Sequence, residues 1–154
     1  MVLDAEFMVD HGRDPGPDLD RAEALARAAM KKKAGIGYAW PILGQASLLR
    51  ARWKVMQKQN PSLDLASARR HFEQGRRDKP NQLWPQKGLA ACRLEELKAR
   101  GAWDEGAYLR LLSEVEQLSL VHAKDPSLQA LLTRVRDFGA VHSRVSRPAA
   151  AGGF

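Results

Sequence analysis

Apolar residues recur along most of the chain at steps of three and four, the period at which an α-helix turns one face toward a core. The stretch from Leu19 to Lys33 follows this pattern, and Asp18 before it is expected to cap the helix. Further stretches with the same period are 40–58, 65–77, 84–99, 107–124 and 127–142. The pattern predicts an all-α protein.

Glycine, proline and acidic residues indicate where these helices begin and end. We expect Gly35 and Gly37 to end the first helix. Pro41 should then lie in the first turn of the second, where a missing amide donor costs little. Asp104 or Glu105 is expected to begin the fifth helix. The breaks are short, so the helices should pack as antiparallel neighbours.

One segment of the chain recurs further along it. The pattern Trp-Pro-x-x-Gly-x-Ala occurs at 40–46 and again 44 residues later. A second pair, 18–29 and 64–75, is related by an offset of 46, which also aligns Pro15 with Pro61. This offset predicts that the chain begins near the end of the first helix of a repeat. A fixed period of this length indicates a solenoid of helical hairpins.

The phase of these residues resembles the tetratricopeptide repeat, in which Trp, Leu and Gly open the first helix, and small and aromatic residues with a closing Pro mark the second. The matching residues are Trp40, Leu43 and Gly44, then Ala68, Phe72, Gly75 and Pro80. The resemblance implies a short α-solenoid of degenerate repeats. The paired Trp-Pro motifs also resemble the helical repeat region that follows the kinase domain in some bacterial eukaryotic-like serine/threonine kinases.

The resemblance implies a division of the chain into three parts. Residues 1–17 are the end of a truncated repeat and a loop, 18–142 form the repeat domain, and 143–154 form a flexible C-terminal tail. The residues implied to pack the repeats are Trp40, Leu43, Gly44, Ala68, Phe72, Trp84 and Gly88.

The first helix of each repeat lines the concave surface in this family, so the resemblance also implies partner-binding residues. The exposed candidates are Tyr38, Gln45, Leu48, Gln82, Leu89 and Arg93. The family's clamp for a C-terminal carboxylate uses Lys and Asn at positions that are Pro41 and Gln45 here, and again Pro85 and Leu89. The resemblance therefore implies a different mode of peptide recognition.

Charge adds a second hypothesis. The 154 residues include 25 Lys and Arg against 18 Asp and Glu, a formal net charge of +7. This excess favours acidic partners, with nucleic acid as an alternative. The basic runs lie at 30–33, 50–54, 69–70 and 76–77. Cations near helix C-termini also complement the helix dipole, so these runs have a structural explanation as well.

Catalytic and metal-binding patterns are weak in this sequence. Cys92 is the only cysteine, which excludes an internal disulfide and a site with several cysteines. The histidines have no ligand spacing, and we expect the pairs Glu95 with Glu96 and Glu114 with Glu116 to lie on solvated faces. We therefore expect no metal, no cofactor and no enzymatic activity.

The tripeptide Asp-Phe-Gly at 137–139 matches a kinase motif, but the glycine-rich loop, strand lysine and His-Arg-Asp segment of a kinase are missing. We interpret it as coincidence, with Asp137 solvated near the end of the last helix. The acidic start and the lack of a long apolar run favour a cytoplasmic protein. The sequence thus predicts a non-catalytic scaffold that binds a protein or peptide, or alternatively a basic helical module that binds nucleic acid.

Overall fold

A computed structural model describes residues 2–32 and 36–146 of the chain. Within these ranges the regular structure is entirely helical, and the prediction of an all-helical protein is confirmed. The helices are α1 (Val2–Asp10), α2 (Gly16–Lys31), α3 (Ile36–Met56), α4 (Ser62–Asp78), α5 (Leu83–Ala99), α6 (Glu105–Val121) and α7 (Pro126–Ser146). None of these helices is long and apolar enough to cross a bilayer.

The start of α2 differs from the prediction. The side chain of Asp14 accepts a hydrogen bond from the backbone N–H of Gly16 at 2.8 Å, and Pro15 follows it at the helix cap. The helix therefore begins ahead of Asp18, which lies in its first turn. The expectation that Asp18 caps α2 is wrong, because an earlier Asp-Pro pair had already turned the chain into the helix.

The start of α3 also differs. The helix begins at Ile36, so Gly37 lies inside it and Pro41 lies beyond its first turn. Gly35 is outside the described residues. Proline within a helix removes the bond to the carbonyl four residues earlier, and here that carbonyl belongs to the helix's first turn, where the loss disturbs little of the helix. The expectations that Gly37 ends the preceding helix and that Pro41 lies in the first turn of α3 are therefore wrong, because α3 already begins at Ile36.

The starts of α6 and α7 are set by two aspartates. The side chain of Asp104 accepts from the N–H of Ala107 at 2.9 Å, which confirms it as the cap of α6. Asp125 accepts from the N–H of Leu128 at 2.8 Å, and Pro126 is the first residue of α7. Side-chain oxygens thus satisfy amides that have no partner within the first turn of either helix.

The chain separates into two compact units, Met1–Ala99 and Arg100–Phe154. In the first unit each helix packs against the next one along the chain, and α3 also packs against α1 and α5. One buried cluster joins α1, α2 and α3, and its members are Ala5, Val9, Leu19, Ala46 and Leu49. A second cluster of Ala26, Ala39 and Leu43 lies between α2 and α3. Helix α3 is therefore central to this unit.

Two glycines allow close packing around the ring of Phe72. A Cβ atom on Gly44 of α3 would stand 2.7 Å from this ring, and one on Gly88 of α5 would stand closer still. Real Cβ atoms do not approach other atoms so closely, so the ring of α4 fits only because both neighbours lack a side chain. Phe72 thus joins α3, α4 and α5 in one contact.

The chain leaves α1 and α3 through the same arrangement of backbone hydrogen bonds, repeated at an offset of 46. In each loop one N–H reaches the carbonyl five residues earlier, and the preceding N–H reaches the carbonyl three residues earlier, the pattern of a Schellman motif. The bonds are Arg13 to Met8 at 2.7 Å and Gly12 to Val9 at 3.1 Å, then Gln59 to Lys54 at 2.8 Å and Lys58 to Val55 at 3.1 Å. Gly12 and Lys58 both have positive φ, 68° and 56°.

The same two loops also begin the next helix alike. Asp14 accepts from the N–H of Gly16, and Asn60 accepts from the N–H of Ser62 at 2.9 Å, again at an offset of 46. A proline follows the Asp or Asn in both loops. The segments 8–19 and 54–65 therefore have the same local structure, although few of their residues are identical.

The second unit is a hairpin in which α6 packs against α7. Its buried residues are Leu111, Val115, Leu128, Leu131, Leu132 and Val135. Next to this core, half-buried aromatic rings gather around Trp103, whose ring lies 5.0 Å from that of Tyr108 and 5.2 Å from that of His142. Tyr108 lies directly over Gly139, where a side chain would collide with its hydroxyl group.

Candidate interaction surface

Helices α1, α3 and α5 are joined by the side chain of Arg52. Its Nη2 donates to Asp10 Oδ1 of α1 at 2.7 Å, and its Nη1 lies 3.6 Å from Glu6 Oε1 of the same helix. Its Nε lies 3.8 Å from Glu95 Oε1 of α5. Arg52 is 12% exposed and Glu95 is 2% exposed. One guanidinium thus links three helices, and water screens its pair with Glu95 less than its pairs with the more exposed Asp10 and Glu6.

The burial of Glu95 contradicts the expectation of a solvated face. The carboxylate lies 3.8 Å from Arg52 and 3.6 Å from Lys98 Nζ. Because α5 packs against both α3 and α4, most of its circumference is covered, and the covered arc reaches the position of Glu95. Nothing in the sequence indicated this burial, because Glu95 is charged and is followed by a second glutamate.

The candidate partner-binding residues have different environments. Gln82 and Arg93 are exposed, and Gln45 is half-buried. Leu48 and Leu89 are 3% and 5% exposed, so the expectation that they are exposed is wrong. The side chain of Tyr38 lies outside the described residues. Both leucines belong to helices that are covered on several sides, and their apolar character was the signal that could have indicated it.

The residues expected to pack the repeats lie in or beside the core. Leu43, Gly44, Ala68, Phe72 and Gly88 are buried, and the two tryptophans are half-buried. The ring of Trp84 packs over Gly75.

Trp40 of α3 packs against α4, where its Nε1 donates to Asp78 Oδ2 at 2.9 Å. The ring of Trp40 also stacks on His71, with centroids 5.9 Å apart. Both contacts fix the orientation of the indole.

Ion pairs connect successive helices of the first unit. Arg50 of α3 pairs with Asp20 and Glu23 of α2. Lys54 Nζ of α3 lies 2.5 Å from Asp64 Oδ2 of α4, and Arg69 Nη1 of α4 lies 2.9 Å from Glu96 Oε1 of α5. Much of the positive charge of α3 is therefore neutralised within the protein.

The surroundings of Cys92 and His71 shift the pKa of both groups. Burial, followed by the charge of Glu96, raises the pKa of the Cys92 thiol to about 12. Burial, followed by the charges of Arg70 and Arg27, lowers the pKa of His71 below its usual 6.5. The thiol is therefore protonated at neutral pH and a poor nucleophile.

Other candidate chemistry is dispersed. Asp137 is exposed on α7, and Phe138 belongs to the aromatic group around Trp103. Across residues 2–32 and 36–146, no group of three or more His, Cys, Asp or Glu side chains could hold a metal ion. Comparison with family models, curated protein sequences and solved structures gives no match for this chain.

Proposed function

We propose that the chain is a non-catalytic helical-repeat scaffold, similar to a tetratricopeptide array, which binds a protein or peptide partner. The observation that carries this proposal is the loop structure shared by 8–19 and 54–65, because the same hydrogen bonds at an offset of 46 connect α1 to α2 and α3 to α4, as expected if these pairs of helices are repeats. The packing of α3 against both α1 and α5 adds support, since first helices of successive repeats are neighbours in a solenoid.

The partner in this proposal binds along α1, α3 and α5. Gln82 and Arg93 are exposed, and Gln45 is partly accessible, so these three side chains offer hydrogen bonds and a positive charge. The ion pairs of Arg52 connect these three helices. A rigid support lowers the entropic cost of binding, because the surface is already ordered.

The test begins with a peptide-display library screened against the purified full chain. Peptides that enrich are synthesised and their affinities measured for the wild type and for the triple variant Gln45→Ala, Gln82→Ala, Arg93→Ala. We expect at least a tenfold loss of affinity, or about 1.4 kcal/mol, for the triple variant.

The control is a triple variant on the second unit, Gln117→Ala, Thr133→Ala and Arg110→Ala, at exposed positions of α6 and α7. It should bind the same peptides as tightly as the wild type. A library that yields no enriched peptide contradicts the scaffold, and peptides whose affinity is equal for both triple variants contradict the proposed surface.

A further inference from the structure

One face of α4 carries a stripe of arginines. Arg69, Arg70, Arg76 and Arg77 are exposed at the spacing of one helical face, with Glu73 as the acidic residue among them. Arg69 pairs with Glu96 and Arg76 pairs with Glu73 at 2.7 Å. Within the described part of the chain, neither Arg70 nor Arg77 forms an ion pair with a carboxylate. Two guanidinium groups of this stripe are thus available to an external anion.

A neighbouring helix adds positive charge at the same place. The exposed Arg27 of α2 and Arg70 of α4 both act on the imidazole of His71, where their charges add to the effect of burial on its pKa. Glu23 of α2 opposes them, but its carboxylate is held by Arg50. Helices α2 and α4 thus each place one arginine close enough to act on the half-buried imidazole of His71.

The same surface has an aromatic pair. The rings of Trp40 and His71 stack with an interplanar angle of 28°, and each residue is half-buried, so part of the pair faces solvent. The carboxylate of Asp78 is engaged at both oxygens, by Trp40 Nε1 and by Gln74 Nε2, each at 2.9 Å. These bonds hold the indole in place.

We propose that this surface, defined by Arg27, Trp40, Arg70, His71 and Arg77, binds single-stranded nucleic acid. Guanidinium groups bind phosphate through paired hydrogen bonds, and a base that is free of a duplex can stack on the aromatic pair. An acidic peptide would use the arginines but would leave the rings without a role. The site uses residues of α2, α4 and the start of α3, none of which is among the peptide-binding residues Gln45, Gln82 and Arg93.

The binding test uses fluorescein-labelled 20-nucleotide oligo(U) and oligo(dT), titrated with the full chain by fluorescence anisotropy at 50 and 200 mM salt. Comparing the affinities for the two oligonucleotides shows whether the site prefers RNA or DNA. If the three arginines release three counterions, the affinity should fall about twentyfold between the two salt concentrations.

Matched variants locate the site. The double variant Arg70→Ala, Arg77→Ala should lose at least tenfold in affinity and should show a smaller salt dependence. The variant Arg110→Ala, Lys124→Ala removes two exposed positive charges from the second unit and should stay within twofold of the wild type. Circular dichroism melts of both variants check that folding is unchanged.

Stacking is tested separately. The variant Trp40→Leu should weaken binding several-fold at both salt concentrations, whereas Trp40→Phe should retain most of it. The NMR titration of the His71 imidazole should move to higher pH when oligo(U) is bound, because phosphate stabilises its protonated form.

Three results would overturn the proposal. The first is an equal loss for the two double variants, which would indicate attraction by net charge alone. The second is binding of a 20-residue polyglutamate as tight as that of oligo(U), which would indicate an acidic protein as the partner. The third is equally tight binding of a DNA duplex, in which no base is free to stack.

Discussion

At the scale of single residues, the contact of Phe72 with Gly44 and Gly88 fixes how closely three helices approach. The ring occupies space that two missing side chains leave open. Protein interiors are packed to the density of organic crystals, so a single added methyl group has no room to enter. These glycines therefore act through the space they leave open in the packing.

The variant Gly44→Ala should reduce the free energy of unfolding by about 1 to 3 kcal/mol, because its Cβ would collide with the Phe72 ring. Urea denaturation followed by circular dichroism measures this change. Gly101→Ala, whose Cβ would meet no atom within 4 Å, is the control and should change stability by less than about 0.5 kcal/mol. Adding Phe72→Leu to the Gly44→Ala variant should restore part of the loss; no restoration would argue against the collision.

The ion pairs of Arg52 give a second prediction at the scale of single residues. Arg52→Ala would leave the buried carboxylate of Glu95 with Lys98 nearby but without the guanidinium, and removing one partner of a buried polar group costs about 1 to 3 kcal/mol. Thermal and urea unfolding should both show the loss. The exposed Arg21 is a matched control, and Arg21→Ala should have little effect. Equal stability of the two variants would mean that the network contributes nothing.

Cys92 should be chemically silent in the folded protein. Burial raises its pKa to about 12, so thiolate is scarce at pH 7 and reagent access is blocked. A thiol-reactive reagent such as Ellman's should label it at the rate of unfolding, and rapidly once urea is added. Fast labelling without denaturant would contradict the buried position.

At the scale of elements, the two matching loops adopt the same backbone conformation with different residues. The left-handed position is Gly12 in the first loop and Lys58 in the second. A non-glycine residue in this conformation is strained by about 1 to 2 kcal/mol, because its Cβ approaches the carbonyl oxygen. The second loop is therefore the more strained of the two.

Substitutions at these two positions should change the free energy of unfolding in opposite directions. Gly12→Ala should destabilise the protein by about 1 kcal/mol, and Lys58→Gly should stabilise it by about 0.5 to 1 kcal/mol, the strain relieved being partly offset by the entropy of glycine in the unfolded chain. Differential scanning calorimetry of both variants gives the signs. A loss of stability for Lys58→Gly would show that the lysine side chain contributes more than its strain costs.

The sequence predicted the helices better than their ends or their buried charges. Apolar period and proline breaks located the helical segments, because these signals are local. The start of α2 was missed because Asp14 and Asp18 are both acceptable caps in sequence, and only the hydrogen bond to Gly16 distinguishes them. The burial of Glu95 depends on which helices cover α5, which no local pattern contains, whereas the apolar side chain of Leu48 was itself a signal of burial.

At the scale of the whole molecule, protonation of one imidazole couples stability to pH. His71 has a lowered pKa in the folded protein, so the unfolded chain takes up a proton first as the pH falls. The part of the free energy of unfolding that depends on neutral His71 is fully present above the unfolded pKa of about 6.5. It is lost as the pH falls through that value toward the folded pKa.

We therefore expect the free energy of unfolding to decrease between pH 7.5 and 5.5, with a smaller decrease in His71→Gln. The variant Arg70→Gln should also reduce the dependence, because it removes one of the charges that disfavour the imidazolium ion. Urea titrations at each pH provide the measurement. An unchanged pH dependence in His71→Gln would assign the effect to other groups.

The ring of Phe72 also constrains how this sequence can vary among relatives. Gly44, Phe72 and Gly88 lie on three different helices, yet each tolerates change only if the others change with it. A relative with alanine at both glycine positions should carry a smaller residue than phenylalanine between them, and an alignment should show these three positions covarying. We therefore expect the surface of the protein to diverge more freely than this contact among three helices.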